Sequence, residues 1–311
     1  MEAFAPTLDL SPQSKIMPDA PIPDSGPNVS VMIFTLNEEL QLPSCLAALA
    51  WCGDVIVIDS FSSDQTQEIA ESAGARFFQN PFTGFGDQRN WALDNCQPRH
   101  DWVLILDADE RVTPGLVREF EQRLNAGASG SAAVGAFRLR RRFHMWGVWL
   151  RYSSLYPSWV VRLIHRERVR YVNRGHAETQ VVQGAVGDLE NDLIDENLKG
   201  IADWFERQNR YSTQDASFEL EQEAVPIAWR ALYSGDALAQ RAVLKQLAAR
   251  MPCRPWLYFI YSYFFRCGFL DGRKGWMFCR MKAEYQRMVA IKKFDLRLQR
   301  RLDVAQGKGR K

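Results

Sequence analysis

Trp102-Val103-Leu104-Ile105-Leu106-Asp107-Ala108-Asp109-Glu110 is an unbroken apolar run that stops on a cluster of carboxylates. Five apolar residues, too few for a helix and rich in Leu, Ile and Val, read as a strand buried on both faces in the middle of a parallel sheet. The acids then stand at its carboxyl end, the edge at which open α/β sheets bind their ligands. A divalent cation bridging diphosphate oxygens takes oxygen ligands of this kind. The plainer alternative is that the acids merely end the strand before a helix capped by Thr113 and opened by Pro114. The neighbouring segments decide for the first reading.

Upstream, a pattern of strand, polar turn and helix repeats. Val29 to Thr35 predicts a strand, Leu36-Asn37-Glu38-Glu39 a turn, and Leu42, Cys45, Leu46 and Leu49 a helix. Asp54 to Ile58 predicts the second strand, followed by Asp59-Ser60-Phe61-Ser62-Ser63-Asp64 and a helix ending near Gly74, with Ser62 and Gln65 spaced as a capping box. A third strand is expected over 75–79, a helix over 86–96, and the apolar run above is the fourth strand. Such alternation implies right-handed crossovers and a mostly parallel α/β sheet. Neither G-x-G-x-x-G nor G-x-x-x-x-G-K-[ST] occurs, so the usual dinucleotide and NTPase fingerprints are absent. The strand ends offer Glu38, Asp59, Asp107 and Asp109 instead, and a site so lined needs a metal or cations before it can hold a diphosphate. Arg89 can supply one positive charge.

Thr35-Leu-Asn-Glu-Glu39, Val57-Ile-Asp-Ser-Phe-Ser-Ser-Asp-Gln-Thr66, Gly84-Phe-Gly-Asp-Gln-Arg-Asn-Trp-Ala92 and Leu106-Asp-Ala-Asp-Glu-Arg-Val112 together resemble the successive motifs of family 2 glycosyltransferases of the GT-A fold. The subgroup most similar is that of bacterial lipopolysaccharide-core glucosyltransferases and exopolysaccharide glycosyltransferases. The resemblance runs from 29 to about 125, and more loosely through Arg162-Leu-Ile-His-Arg166, Gly175-His-Ala-Glu178 and Asn209-Arg-Tyr-Ser212. It implies a Rossmann-like sheet flanked by helices, and an inverting, metal-dependent transfer from a nucleotide-diphosphate sugar, a UDP-sugar first among them. It further implies that Thr35, Asn37 and Glu38 flank the nucleotide base and that Asp59 bonds the base or ribose. Arg89 and Asn90 would lie near base and diphosphate. Asp107 and Asp109 match the DXD motif, with Asp107 near the ribose and Asp109 on a Mn²⁺ or Mg²⁺ ion, which His176 would join. Ser60 stands where many members carry a second acid.

Glycosyl transfer needs a base for the acceptor hydroxyl's proton. Members of the family often show a His-Glu pair where this chain has His176-Ala-Glu178, which puts both side chains on one face of an extended segment and makes Glu178 the candidate. Asp188, Asp192, Asp195 and Glu196 are rivals. Ala136 to His144 and Trp159 to Ile164 read as further strands, and Arg138, Arg140 and Arg142 fit either a solvated strand face or a contact to an anionic acceptor.

Residues 1–28 carry six of the fourteen prolines and no periodicity, which predicts a disordered extension without the pattern of a signal peptide. The GT-A domain is expected over 29–200 and a helical, basic region over 201–311, with helices over 202–220 and from Pro226 towards Arg250. Pro255 to Phe265 is too short to span a bilayer, which takes about 20 residues, and reads either as a buried helix or as a membrane-interface segment. From Arg250 onward there are 16 Lys and Arg against 4 Asp and Glu, so an overall charge of +2 hides a tail of +12 that suits an anionic surface. Six scattered cysteines with no C-x-x-C pair fit a reduced, cytoplasmic protein, and the aromatic and basic tail fits peripheral attachment to the inner membrane face. The acceptor expected is a glycan or lipid-linked glycan, with no nucleic acid as partner. Two other functions remain: a nucleotidyltransferase, which would usually carry a Gly-rich phosphate loop, and a nucleic-acid-binding protein using the tail, whose binding would fall steeply with salt.

Overall fold

The computed structural model describes residues 26–126, 134–174, 177–223, 226–233, 235, 237–251 and 253–305. The N-terminal extension up to residue 25, and His176, lie outside the described residues. β1 (Val29–Thr35), α1 (Leu42–Ala47), β2 (Val55–Asp59), α2 (Thr66–Ser72), β3 (Arg76–Gln79), α3 (Phe85–Asn95) and β4 (Trp102–Asp107) alternate as the sequence predicts. Strands with no polar face are stable only where both faces are covered. The order β3-β2-β1-β4 is parallel throughout and satisfies that requirement. Val31, Ile33, Leu104 and Leu106 pack with Cys45 of α1 and Ala70 of α2, while Met32, Ile56 and Ile105 pack with Ala92 and Leu93 of α3.

The helix after β2 starts differently from the expected capping box. Ser62 Oγ donates to Asp59 at 2.5 Å, and Asp64 Oδ1 accepts from Thr66 N at 3.0 Å in its place. The nearby carboxylate of Asp59 is the stronger acceptor and captures the serine.

After β4 come β5 (Glu110–Arg111), α4 (Pro114–Ala126), β6 (Val134–Met145), β7 (Val148–Trp149), β8 (Ser158–His165), β9 (Val169–Arg174), β10 (Ala177–Val182) and β11 (Ala185–Asn197). Thr113 caps α4 as expected, its Oγ1 accepting from Leu116 N at 3.3 Å. The sheet continues from β4 through β8, β6 and β11 to β5, with β8 antiparallel to both neighbours and β11 parallel to β6. β5 pairs with β11 through Glu110 opposite Asp195. β9 and β10 form a separate antiparallel ribbon.

α5 (Gly200–Gln222), α6 (Ala237–Arg250), α7 (Arg254–Ile260) and α8 (Gly272–Ala305) complete the chain. The helix expected from Pro226 begins only at Ala237, because Trp229–Tyr233 makes a 3₁₀ turn and Gly235 interrupts propagation. Trp204 of α5 and Phe278 and Met281 of α8 pack on Met145 and Leu150, which seats these helices on the end of β6. Part of the tail's positive charge is turned inward. Lys293 is 3.1 Å from both Glu219 and Glu223, Arg297 is 2.5 Å from Glu223, and Lys292 Nζ donates to Asn209 Oδ1 at 2.6 Å, all holding α8 against α5 or its immediate C-terminal residue. Among the described residues no helix is long and apolar enough to cross a membrane.

Candidate active site

β1, β2 and β4 end side by side, with Thr35 opposite Asp59 and Phe34 opposite Asp107. Asp59 is fully buried and accepts hydrogen bonds from Thr35 Oγ1 (2.9 Å), Ser62 N (2.8 Å) and Ser62 Oγ (2.5 Å). Asn37 turns the chain with φ 55°; its N–H donates to Ser62 Oγ at 2.7 Å and its Oδ1 accepts from Ser63 N at 2.8 Å. The two strand-end turns are thus stitched together. Glu38 is tied by its N–H to Thr66 Oγ1 at 2.8 Å and by Oε1 to Lys199 Nζ at 2.7 Å. Burial pushes the Glu38 carboxyl up to about 7 against the pull of Lys199.

Asp107 receives Arg89 on Oδ1 at 3.0 Å and Arg162 on Oδ2 at 2.6 Å. Burial works to raise this carboxyl, but Arg162 and Arg89 outweigh it and hold it down at about 2. About a third of the side chain, 35%, still faces solvent, so a ligand can reach it. The same Arg162 nitrogen donates to Glu110 Oε1 at 2.5 Å, while Glu110 Oε2 accepts the N–H of Asp107 at 3.0 Å. Asp109 is less compensated. Its cation is Arg207 of α5 at 3.8 Å, and burial together with Asp195 and Asp107 pushes it up to about 7. Asp195 pairs with Arg141 at 3.1 Å, and burial still lifts it to about 6.

Arg89 is 3% exposed and lies over the rings of Phe34, Phe85 and Tyr171, at 5.4, 5.8 and 5.7 Å. Its Nη1 is 2.8 Å from Glu178 Oε1, so one guanidinium joins the strand-end acid to the candidate base. Glu178 arrives there because the β9–β10 ribbon is docked on α3. Asn90 exchanges two hydrogen bonds with the Tyr171 backbone, at 2.8 and 2.9 Å. Asn173 Oδ1 accepts from Gly86 N at 2.8 Å, and its Nδ2 donates to Asp87 at 2.8 Å. A Cβ at Gly84 or Gly86 would come within 2.7 or 2.9 Å of the Asn173 amide, which explains glycine at both positions. Asn90, expected near the donor, spends both ends of its amide on this docking.

The rivals of Glu178 separate clearly. Asp188 pairs with Arg138 at 2.6 Å, and Asp192 serves Arg140 at 2.8 Å, Arg142 at 2.5 Å and the Tyr156 hydroxyl at 3.0 Å, so the alternate arginines of β6 form an ion-paired face. Glu196 pairs with Arg111. Asp195 alone of the four belongs to the strand-end cluster, through Arg141 and its effect on Asp109. Arg141 and Arg207 are site cations outside every sequence motif, and Arg162, although it opens the segment Arg162-Leu-Ile-His-Arg166, receives no role from it. A lone arginine inside the apolar strand Trp159-Val-Val-Arg-Leu-Ile164 is the signal that could have found the role of Arg162.

The model of the family Glycosyl transferase family 2 matches residues 30–188. The lipopolysaccharide core biosynthesis glycosyltransferase LpsC of Rhizobium meliloti (strain 1021) is 28% identical over 276 residues, 83% of this chain and 92% of that one. S. aureus TarS 1-349 in complex with UDP is similar with a TM-score of 0.41 and 15% identity, over 91% of this chain and 93% of that one. Glucosyl-3-phosphoglycerate synthase from Mycobacterium tuberculosis, in complex with Mn²⁺ and UDP-glucose, is similar with a TM-score of 0.30 and 24% identity, over 38% of this chain and 44% of that one.

Proposed function

Because this chain belongs to glycosyl transferase family 2 and is therefore a glycosyltransferase, we propose that its strand-end cluster binds a nucleotide-diphosphate sugar and passes the sugar, with inversion, to a hydroxyl of a bacterial surface glycan. The observation that carries this is the buried Arg89 bridging Asp107 and Glu178, which puts the donor-side acid and a proton acceptor on one cation. The relative named for lipopolysaccharide core biosynthesis, matched over most of both chains, supports a core oligosaccharide or related glycan as acceptor.

In this reading Thr35, Asn37, Glu38 and Asp59 line the nucleoside, with a UDP-sugar as the first donor to test. The acceptor oxygen attacks the anomeric carbon as the bond from that carbon to the diphosphate breaks. The hydroxyl proton goes to Glu178, and the electron pair leaves with the nucleoside diphosphate. Arg89 stands beside both groups and stabilises the negative charge that develops on the departing diphosphate.

A divalent cation fits the residues present. Asp109 is a carboxylate crowded by Asp195 and Asp107 with its cation as far off as 3.8 Å, the kind of donor a small dication relieves. An ion held by one or two carboxylates and the donor's own phosphates needs no cage made by the protein alone. Asp109 would hold it, with Asp107 beside it, and the ion would supply charge stabilisation to the leaving diphosphate.

A second reading makes Asp195 the base, on the observation that it lies in the same cluster and is lifted to about 6, nearer the ideal for a general base at neutral pH. The test measures thermal stabilisation by nucleotide sugars with and without Mn²⁺, then turnover, in Asp109→Asn, Glu178→Gln and Asp195→Asn. Glu178→Gln is expected to keep donor stabilisation and lose most turnover, and Asp109→Asn to lose the Mn²⁺-dependent part of the stabilisation. Normal turnover in Glu178→Gln with loss in Asp195→Asn would transfer the role. No stabilisation of the wild type by any nucleotide sugar would overturn the donor assignment.

A further inference from the structure

Between Met251 and Lys282 the surface is apolar and cationic at once. Trp256 is 65% exposed, Phe264 58%, Phe265 76% and Leu270 57%. Single exposed hydrophobic residues are ordinary, but a run of large ones along one short stretch marks a surface made to be covered. The π turn Tyr261–Phe265 carries Phe264 and Phe265 outward, and Tyr263 supports them from within by stacking on Phe259 at 5.3 Å and meeting Phe264 edge-on at 5.1 Å. The same stretch exposes Arg273, Lys274 and Arg280. Its one acid, Asp271, is turned inward and accepts from Tyr152 N at 3.0 Å, Ser153 N at 2.7 Å and Ser153 Oγ at 2.7 Å. α8 continues the apolar character, with Ile291, Phe294 and Leu298 at helical spacing on one exposed face, where Arg287 pairs with Glu284 at 3.5 Å and Asp295 is also exposed.

We propose that this surface seats the protein on a lipid bilayer bearing anionic headgroups. Rings at the level of the headgroups with arginine and lysine beside them, and no outward carboxylate in the stretch, form the pattern that an anionic bilayer surface complements. A second copy of the chain complements it less well, since a two-fold contact through the stretch would bring two surfaces of the same positive charge together. The placement also has a functional sense. Arg266 donates to Tyr156 O at 3.3 Å and Asp271 holds Tyr152 and Ser153, so the seat braces the loop whose Tyr156 hydroxyl bonds Asp192 of β11. A lipid-linked acceptor would then meet the enzyme from the side that carries the sheet's second half. The attachment stands apart from the transfer reaction and is tested without substrate.

The full chain is sedimented with vesicles of phosphatidylcholine alone and of phosphatidylcholine with phosphatidylglycerol, at low and high salt, and sedimentation velocity without lipid reports its oligomeric state. Binding to the anionic vesicles that is released by salt is expected. Arg273→Gln with Arg280→Gln should weaken it about 25-fold, at about fivefold per cation. Phe264→Ser with Phe265→Ser should weaken it about tenfold or more. Each variant is required to melt at the wild-type temperature; should the Phe pair fail that, Trp256→Ser on the preceding helix replaces it. Failure to bind anionic vesicles, equal binding to neutral ones, or binding unchanged in the variants would overturn the proposal. Self-association without vesicle binding, abolished by the Phe substitutions, would assign the surface to a second copy instead.

Discussion

Glu38→Gln is expected to make the protein more stable at alkaline pH. Glu38 Oε1 meets Lys199, while Oε2 is buried with no hydrogen-bond partner, and burial lifts the carboxyl from 4.5 to about 7. An acid whose folded pKa is raised binds its proton more tightly when folded, so stability is complete below about 4.5 and falls as pH rises through the window up to about 7. A shift of that size, at about 1.4 kcal/mol per unit, makes the ionised side chain unfavourable by about 3 kcal/mol above the window. Glutamine keeps the shape of the neutral acid and can still accept from Lys199. Urea unfolding at pH 4.5 and at pH 8 should therefore give nearly equal stabilities for the two proteins at the lower pH and a gain of about 3 kcal/mol for the variant at the higher. In a chain of this length that is a rise in Tm of about 5 °C. A variant no more stable than wild type at pH 8 would mean that the Lys199 pair overcomes the burial, and the reasoning would fail.

Arg162→Met should destabilise the fold by about 3–5 kcal/mol, since it leaves Glu110 and one oxygen of Asp107 without their shared cation; calorimetry at neutral pH checks this, and Arg162→Lys should recover only part of the loss. Asn173→Ala removes two of the bonds that dock the β9–β10 ribbon on α3 and leaves those of Asn90, so kcat should fall about tenfold through misplacement of Glu178, with donor KM little changed. Steady-state kinetics in which KM rises and kcat holds would place the ribbon on the donor side instead.

The parallel half of the fold was legible because each strand announces itself. Val31 to Ile33 and Val103 to Leu106 have no polar face, so their depth in the sheet follows from composition alone, and the acids that end them fall at the ligand edge by topology. Arg89 was legible from its motif, but the roles of the other cations were not, for the opposite reason. Arg162 and Arg141 lie on strands that join the sheet antiparallel to β4 or one place beyond it, and Arg207 on a helix about a hundred residues from Asp109, so only the tertiary fold aligns them. In the run Arg138 to Arg142 the regular spacing drew attention to the even-numbered side chains. It is the odd one, Arg141, that reaches Asp195, while the others meet Asp188 and Asp192. The placement of the tail's charge was hidden in a similar way, because a charge count does not distinguish Lys293, clamped between two glutamates, from Arg273 in solvent.

The pairing of β5 with β11 has a mechanical consequence. Three strands, β8, β6 and β11, lie between β4 and β5 in the sheet order, so a flat sheet would hold the two about 19 Å apart at about 4.8 Å per step. From Asp107 to Glu110 the chain has three links and can stretch about 11 Å at most. The sheet must therefore roll up until its far border returns to β4, and Asp107-Ala-Asp-Glu is the clasp that fastens the roll. An inserted residue there would slacken the closure and shift the two acids of the site together. A pull on Asp109 is likewise transmitted straight to β11, through the bond from Glu196 N to Asp109 O at 2.9 Å, and draws the opposite border of the roll with it.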